Sequence, residues 1–213
     1  MKLSPEQIEK IDIILEKLGL DFLDFKLEIK DHIACQTEEL GQEKNINFEE
    51  ALLLVLKEWE PNLLLKSSIW VSNKRSFSLF VLNGIRKRYY IYNSIAIPII
   101  LLFFLLQFIY RKEIDTDFLS GIMFGFISII VLTLLGFRYL IYKKNKETSY
   151  SYEFNRICKM VSLFWIMNVV FYSLIGISPI IIWNAMIVAY SPIAFYSYYK
   201  HNQFCKHFDK VII

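Results

Sequence analysis

Four runs of the chain contain no Asp, Glu, Lys or Arg and are dense in Ile, Leu, Phe and Val: residues 91–110, 118–137, 160–176 and 179–198. A helix of roughly 20 residues, at about 1.5 Å rise each, covers the ~30 Å hydrocarbon core of a bilayer. The pattern therefore predicts four transmembrane helices over residues 91–199. So many apolar runs leave too little polar surface to cover them in water.

Residues 1–60 alternate differently, with the helical period of 3.6. Ser4, Pro5 and Gln7 form a start signal with a capping box, Ile8, Ile11, Leu15 and Leu18 share one face, and Gly19 is a stop. A second helix is expected from Asp21 or Asp24 to Leu40, with Phe22, Phe25, Ile29 and Ile33 inward and Gly41 as its stop. A third begins at Asn47, buries Phe48, Leu52, Val55, Leu56 and Trp59, and ends at Pro61. The expected fold is an all-α membrane protein: a three-helix N-terminal head over residues 1–60, a linker over 61–90, four transmembrane helices over 91–199 and a tail over 200–213. The linker reads as an interfacial helix with Phe77, Phe80, Val81 and Ile85 toward lipid, in preference to a short hairpin.

Charge divides the chain at the same place. Residues 1–60 hold 7 Lys/Arg against 15 Asp/Glu, and residues 61–213 hold 17 against 6. The basic residues flank the apolar runs asymmetrically. From Lys74 onward fourteen fall before the first run, between the second and third, and after the fourth; only Arg111 and Lys112 fall on the other side. By the positive-inside rule the head, residues 138–159 and the tail are expected on the cytoplasmic side of a membrane. The amphipathic start "MKLSPEQIEKIDIILEKLG" lacks a signal-peptide core. The outer side is expected to hold only "RKEIDTD" (111–117) and a tight "GISP" turn.

Candidate chemistry is sparse. Glu28, His32, Cys35 and Glu39 follow one another at helical spacings of 4, 3 and 4, a line from which Glu28, His32 and Cys35 are weak metal candidates. Zinc needs about four converging ligands, and one helix face supplies two or three, so a solvated polar face is the expected role. "HNQFCKHF" (201–208) gathers His201, Cys205 and His207, with Phe204 and Phe208 toward lipid as the simpler reading. Cys35, Cys158 and Cys205 are expected as free thiols in a reducing compartment. Within the apolar runs Gln107, Asn168 and Asn184 are the polar side chains suited to interhelical hydrogen bonds, and Gly121 and Gly125 form a small-xxx-small pattern suited to close helix packing. Pro98 and Pro192 predict kinks. Phosphate-binding glycine loops, nucleophile elbows and paired cysteines are not recognisable, so no catalytic residue, bound metal or cofactor is expected. The basic clusters flank membrane runs, so no nucleic-acid partner is expected either.

The residues "LEIKDHIACQTEELGQEKNINFEEALLLVLKEW" carry a resemblance. Glu28, Asp31, His32, Ile33, Glu38, Phe48, Glu49, Glu50 and Ala51 resemble the short cytoplasmic head of uncharacterised bacterial multi-pass membrane proteins, similar in kind to the HAAS-type helical signalling domain. Its polar turn and the missing Gly-Ser/Asn-Pro ending depart from that type. The resemblance implies a regulatory head and no activity for the membrane part. The expected function is thus a non-enzymatic regulatory or interaction subunit, with the bilayer and a protein as partners and a second copy of the chain as a further candidate. Lys143, Lys144 and Lys146 are the expected dock for the acidic head. The alternatives are a small transporter or its membrane subunit, using Asn168 and Asn184, and a membrane enzyme using Glu28, His32 and Cys35.

Overall fold

The structure is a computed structural model. It describes residues 2–69, 71–110, 116–175 and 181–211; within these, the side chains of residues 73, 74, 107, 110, 116–120, 172, 175, 181, 182 and 209–211 lie outside the description. About 85% of the described residues are helical. Among the described residues the order is α1 (Pro5–Lys17), α2 (Leu23–Glu43), α3 (Phe48–Leu63), β1 (Leu65–Ser68), β2 (Ser72–Ser78), α4 (Leu79–Tyr110), α5 (Thr116–Lys144), α6 (Ser149–Ile175) and α7 (Ile181–Val211). The expected outer segment 111–117 falls largely, and the expected turn after residue 175 wholly, outside the described residues.

The chain divides into two compact units, Met1–Tyr89 with Glu147–Ser149, and Tyr90–Lys146 with Tyr150–Ile213. In unit 1, Ser4 caps α1 with both halves of the capping box formed, and Gly19 adopts φ +77°, where a side chain would be strained. Helix α2 runs through Gly41, which is buried, and stops only before Asn45 at φ 51°. Glycine thus has another use at 41, and asparagine, which tolerates the left-handed region, supplies the stop. Asn47 caps α3 by accepting from the Glu50 N–H at 2.9 Å. Helix α3 continues past Pro61 to Leu63, because a proline in the last turn forfeits one hydrogen bond without breaking the rest.

The linker corrects the sequence reading. Residues 65–78 form an antiparallel hairpin, pairing Leu65 with Ser78 and Lys66 with Phe77. Serines, β-branched residues and aromatics suit a half-buried strand better than a helix. Val71, Phe77, Val81 and Ile85 are buried inside unit 1, not turned to lipid. Phe77 stacks on Phe22 at 5.4 Å, and Phe80 meets Phe25 edge-on at 5.9 Å. Ser78 accepts from the Val81 N–H at 3.4 Å, capping α4 and setting its start. The acidic stretch ends near residue 60, but the compact unit continues through the hairpin and the first turns of α4. Ile11, Leu15, Ile29, Ile33, Ala51 and Phe22 form its centre.

Unit 2 is built the other way round. Its core is a thin seam of Ala96, Ile127, Val131, Leu134, Phe154, Ile187 and Ala194, with small residues prominent. Leu101, Phe108, Phe126, Leu132, Tyr142 and Leu163 lie on the outside. Among the described residues three helices are long and apolar enough to cross a membrane: Leu79–Leu106, Gly121–Lys144 and Ser149–Phe171, of whose most apolar stretches only 11%, 22% and 28% is buried. The expected fourth run falls on α7. That helix has 31 residues, but Asn184, Ser191, Pro192, Ser197 and its tyrosines dilute the apolar content of its described part.

Candidate functional site

The most polar buried constellation belongs to unit 1 and centres on Asp24, which no motif marks. Asp24 sits in the first turn of α2 and is 7% exposed. Its Oδ1 accepts from the Ser149 backbone N–H at 2.8 Å, and its Oδ2 accepts a short hydrogen bond from the Ser149 hydroxyl. Arg88 donates to the same hydroxyl oxygen at 2.6 Å. The run from Arg88 through Ser149 to Asp24 is polarised in one direction, which strengthens each link. Ser149 is the first residue of α6, so Asp24 caps that helix from outside, and the positive end of the helix dipole helps hold the buried carboxylate. The Leu23 N–H also donates to the Glu147 carbonyl at 3.0 Å.

A second clamp lies on the surface. The Arg75 guanidinium donates to Glu147 at 2.6 and 3.2 Å and to Asp21 at 2.8 Å. It lies over the rings of Phe22 and Phe77, 5.2 and 5.5 Å from their centroids. Hydrogen bonding to Glu147 outweighs the opposing effect of burial and, with Asp21, raises the Arg75 pKa above its ordinary value. A planar fork matched to a carboxylate and stacked on aromatics is a task lysine performs poorly. Asp24 is engaged at both oxygens and Arg75 by two carboxylates, so the arrangement fastens Glu147–Ser149 into the unit. The cation comes from β2, beyond the acidic stretch of residues 1–60, and of its two carboxylates only Asp21 belongs to that stretch.

The residues singled out from sequence are placed as follows. Glu28, His32 and Cys35 are exposed, and His32 stacks on Trp59 at 6.2 Å. Trp59 donates to Gln36 at 2.6 Å. Among the described residues no three His, Cys, Asp or Glu converge as metal ligands. In unit 2, His201 and Cys205 are buried with sulfur 3.6 Å from Nε2, while His207 is exposed, so the three do not converge. Burial, with Lys144 nearby, pushes His201 down to about 4, leaving it neutral at ordinary pH. Phe204 stacks on Tyr150 and Phe208 lies beneath Lys146, so neither is committed to lipid.

Asn168 and Asn184 are brought together: Asn168 Nδ2 donates to Asn184 Oδ1 at 2.8 Å in a buried setting, and Asn168 Oδ1 is left without a partner. The Gln107 side chain lies outside the described residues. Among the described residues Gly121 and Gly125 do not pack against another helix; a Cβ added at either meets nothing described within 4 Å. The close approach occurs at Gly84 in unit 1, where a Cβ would lie 2.5 Å from the Phe25 ring. Lys143 is exposed, Lys144 donates to Asn202, and Lys146 lies over Phe208. Reasoning from sequence also missed Glu153, which is buried in the candidate span Ser149–Phe171 and accepts from the Tyr92 hydroxyl at 3.2 Å. Placing the start of that run at residue 160 hid it.

These features define a helical protein with three helices long and apolar enough to cross a membrane. Comparison with family models, curated proteins and solved structures finds no match.

Proposed function

We propose that the chain is a four-span protein of the bacterial inner membrane, with residues 179–198 as the fourth span and both termini cytoplasmic. Its acidic head works as a non-enzymatic regulatory or interaction module of the HAAS-like kind. The observation that carries this reading is the inclusion of Glu147–Ser149 in unit 1, through Asp24, Arg75 and Arg88. Those residues join two candidate spans, so a partner that moves α2 acts on the first turn of α6. Co-purification of the full chain from native membranes tests the reading. A specific protein partner is expected, and reversing the exposed charges of Glu28, Asp31 and Glu39 to lysine is expected to weaken its capture. Recovery of no specific partner, or tags at positions 1 and 213 on opposite sides, overturns it.

A second reading, a small transporter or membrane subunit of one, is favoured by a single observation: the unpartnered Asn168 Oδ1. Replacing Asn168 and Asn184 with leucine separates the two. Loss of flux supports transport. Packing alone predicts a stability change of about 1 kcal/mol.

A further inference from the structure

Helices α1 and α3 both pack on α2 and make little contact with each other. They are tied where Lys10 meets Glu49 at 2.6 Å and lies over the Phe48 ring. Beyond that tie they leave a groove of about 900 Å³, lined by Ile14 and Leu18 of α1, by Leu53, Leu56 and Leu63 of α3, and by Leu65 at the start of β1. Leu53 and Leu65 are 68% and 55% exposed, in a unit whose other surfaces are rich in carboxylates. Contiguous exposed leucines on a charged unit mark a surface that another molecule covers.

The shape and the charge of the groove both bear on its occupant. Leu53, Leu56, Lys57, Glu60 and Leu64 follow one face of α3, so the groove extends along about 16 Å of helix. A helix of about three turns laid there would complete a four-helix arrangement on α1, α2 and α3. The charged lining residues are Lys17, Lys57 and Glu60. Lys10 is paired with Glu49, and Lys26 and Lys30 with Asp12, but Lys17 and Lys57 form no ion pair among the described residues. At the groove itself two unpaired cations face one carboxylate, Glu60, so the lining selects carboxylates against cations although the unit as a whole is acidic.

We infer that the α1–α3 groove docks an amphipathic helix of a partner protein. That helix places leucine-type side chains at i, i+3 or i+4 and i+7 against Ile14, Leu18, Leu53 and Leu56, and carboxylates beside Lys17 and Lys57. The inference rests on the reading of unit 1 as an interaction module and names the surface and the chemistry of its partner.

The test uses the full-length protein in phosphatidylcholine nanodiscs and two fluorescent peptides of about 16 residues with the same leucine spacing, one flanked by glutamate and one by lysine. Fluorescence anisotropy is expected to show the glutamate peptide binding about tenfold or more tightly than the lysine peptide. Leu53→Asp, a change at an exposed position, is expected to weaken it about tenfold, and Lys17→Glu with Lys57→Glu to invert the preference. Circular dichroism confirms that these variants stay folded. Equal binding of both peptides, or binding indifferent to Leu53→Asp, overturns the inference. So does displacement of the peptide by oleate, which assigns the groove to an acyl chain. Self-association abolished by Leu53→Asp assigns it to a second copy. Should the peptides fail while a partner still co-purifies with the Leu53→Asp protein, the groove loses its role and the regulatory reading stands. Should the peptides discriminate while nothing co-purifies with the full chain, the regulatory reading falls and the groove stands.

Discussion

Unit 1 hides Ile11, Leu15, Ile29 and Ile33 and spreads its carboxylates outward; unit 2 hides Asn168, Ser191, Ser197 and His201 while Leu101, Phe126, Leu132 and Leu163 face out. The same side-chain chemistry is sorted in opposite directions. In water the gain from burying apolar area organises a core, at about 25 cal/mol per Å². In hydrocarbon that gain disappears between helices, and close packing and hydrogen bonds hold them together. The small residues in the seam of unit 2, the Asn168–Asn184 bond and the Tyr190–Asn93 bond at 2.6 Å fit the second regime. The leucine-lined groove is where unit 1 departs from the first regime.

The sharpest way to break this contrast is to place one charge on each exterior. Leu132 and Leu53 are 60% and 68% exposed. Leu132→Lys is expected to cost about 2.5–3.5 kcal/mol of membrane insertion, while Leu53→Lys stays within about 0.5 kcal/mol in folding stability. Membrane-fraction yield and thermal unfolding in nanodiscs check both; equal effects would show that the two exteriors meet the same solvent.

Removing the buried carboxylate comes next. Asp24→Ala leaves the Ser149 N–H and hydroxyl without their acceptor, and is expected to cost about 2–3 kcal/mol. Faster proteolysis within residues 1–89 would report it, and an unchanged rate would mean that the clamp contributes little.

Glycine substitution sharpens the comparison further. Gly84→Ala drives a Cβ into the Phe25 ring and is expected to cost about 1–3 kcal/mol, whereas Gly121→Ala is neutral or gains up to about 1 kcal/mol in helix propensity. A loss at Gly121, seen as a lowered melting temperature, would reveal a contact from outside the chain.

The smallest effect concerns Asp12, 2.7 Å from Lys26 and 3.1 Å from Lys30. Burial acts to raise its pKa, but hydrogen bonds and charge from the two lysines outweigh it, and the net pKa is lowered. A carboxyl whose folded pKa lies below its unfolded value, near 3.9, stabilises above that pH and loses the contribution as pH falls through the folded pKa. Asp12→Asn is expected to cost about 0.5–1 kcal/mol near pH 7 and nothing once both forms are protonated. Denaturant titrations at pH 7 and pH 2.5 measure the difference.

Much of the local architecture was readable along the chain. The Ser4 capping box, the Gly19 stop and the Asn47 cap depend on residues within four positions of one another, so their spacing is enough. The apolar periodicity of α1–α3 is equally local. The hairpin at 65–78 was misread because its short apolar pattern satisfies two periods, and only the burial of Val71 and the stacking of Phe77 on Phe22 decide between them. Gly41 and Gly84 look alike in sequence to glycines that end helices; Gly84 owes its role to Phe25, 59 positions away. Asp24 was read as a helix-start residue because its partner stands 125 positions downstream.

By itself, the sequence determined where α1, α2 and α3 form, that the chain holds helices apolar enough to cross a membrane, and the division of charge between the two halves. These follow from interactions among near neighbours and from transfer free energies that are nearly additive along a segment. Tertiary structure alone decided that Glu147–Ser149 joins the N-terminal unit, that Asn168 meets Asn184, and that Gly121 and Gly125 pack on nothing among the described residues. Such pairings depend on which surfaces arrive together in space, and spacing along the chain carries no record of that.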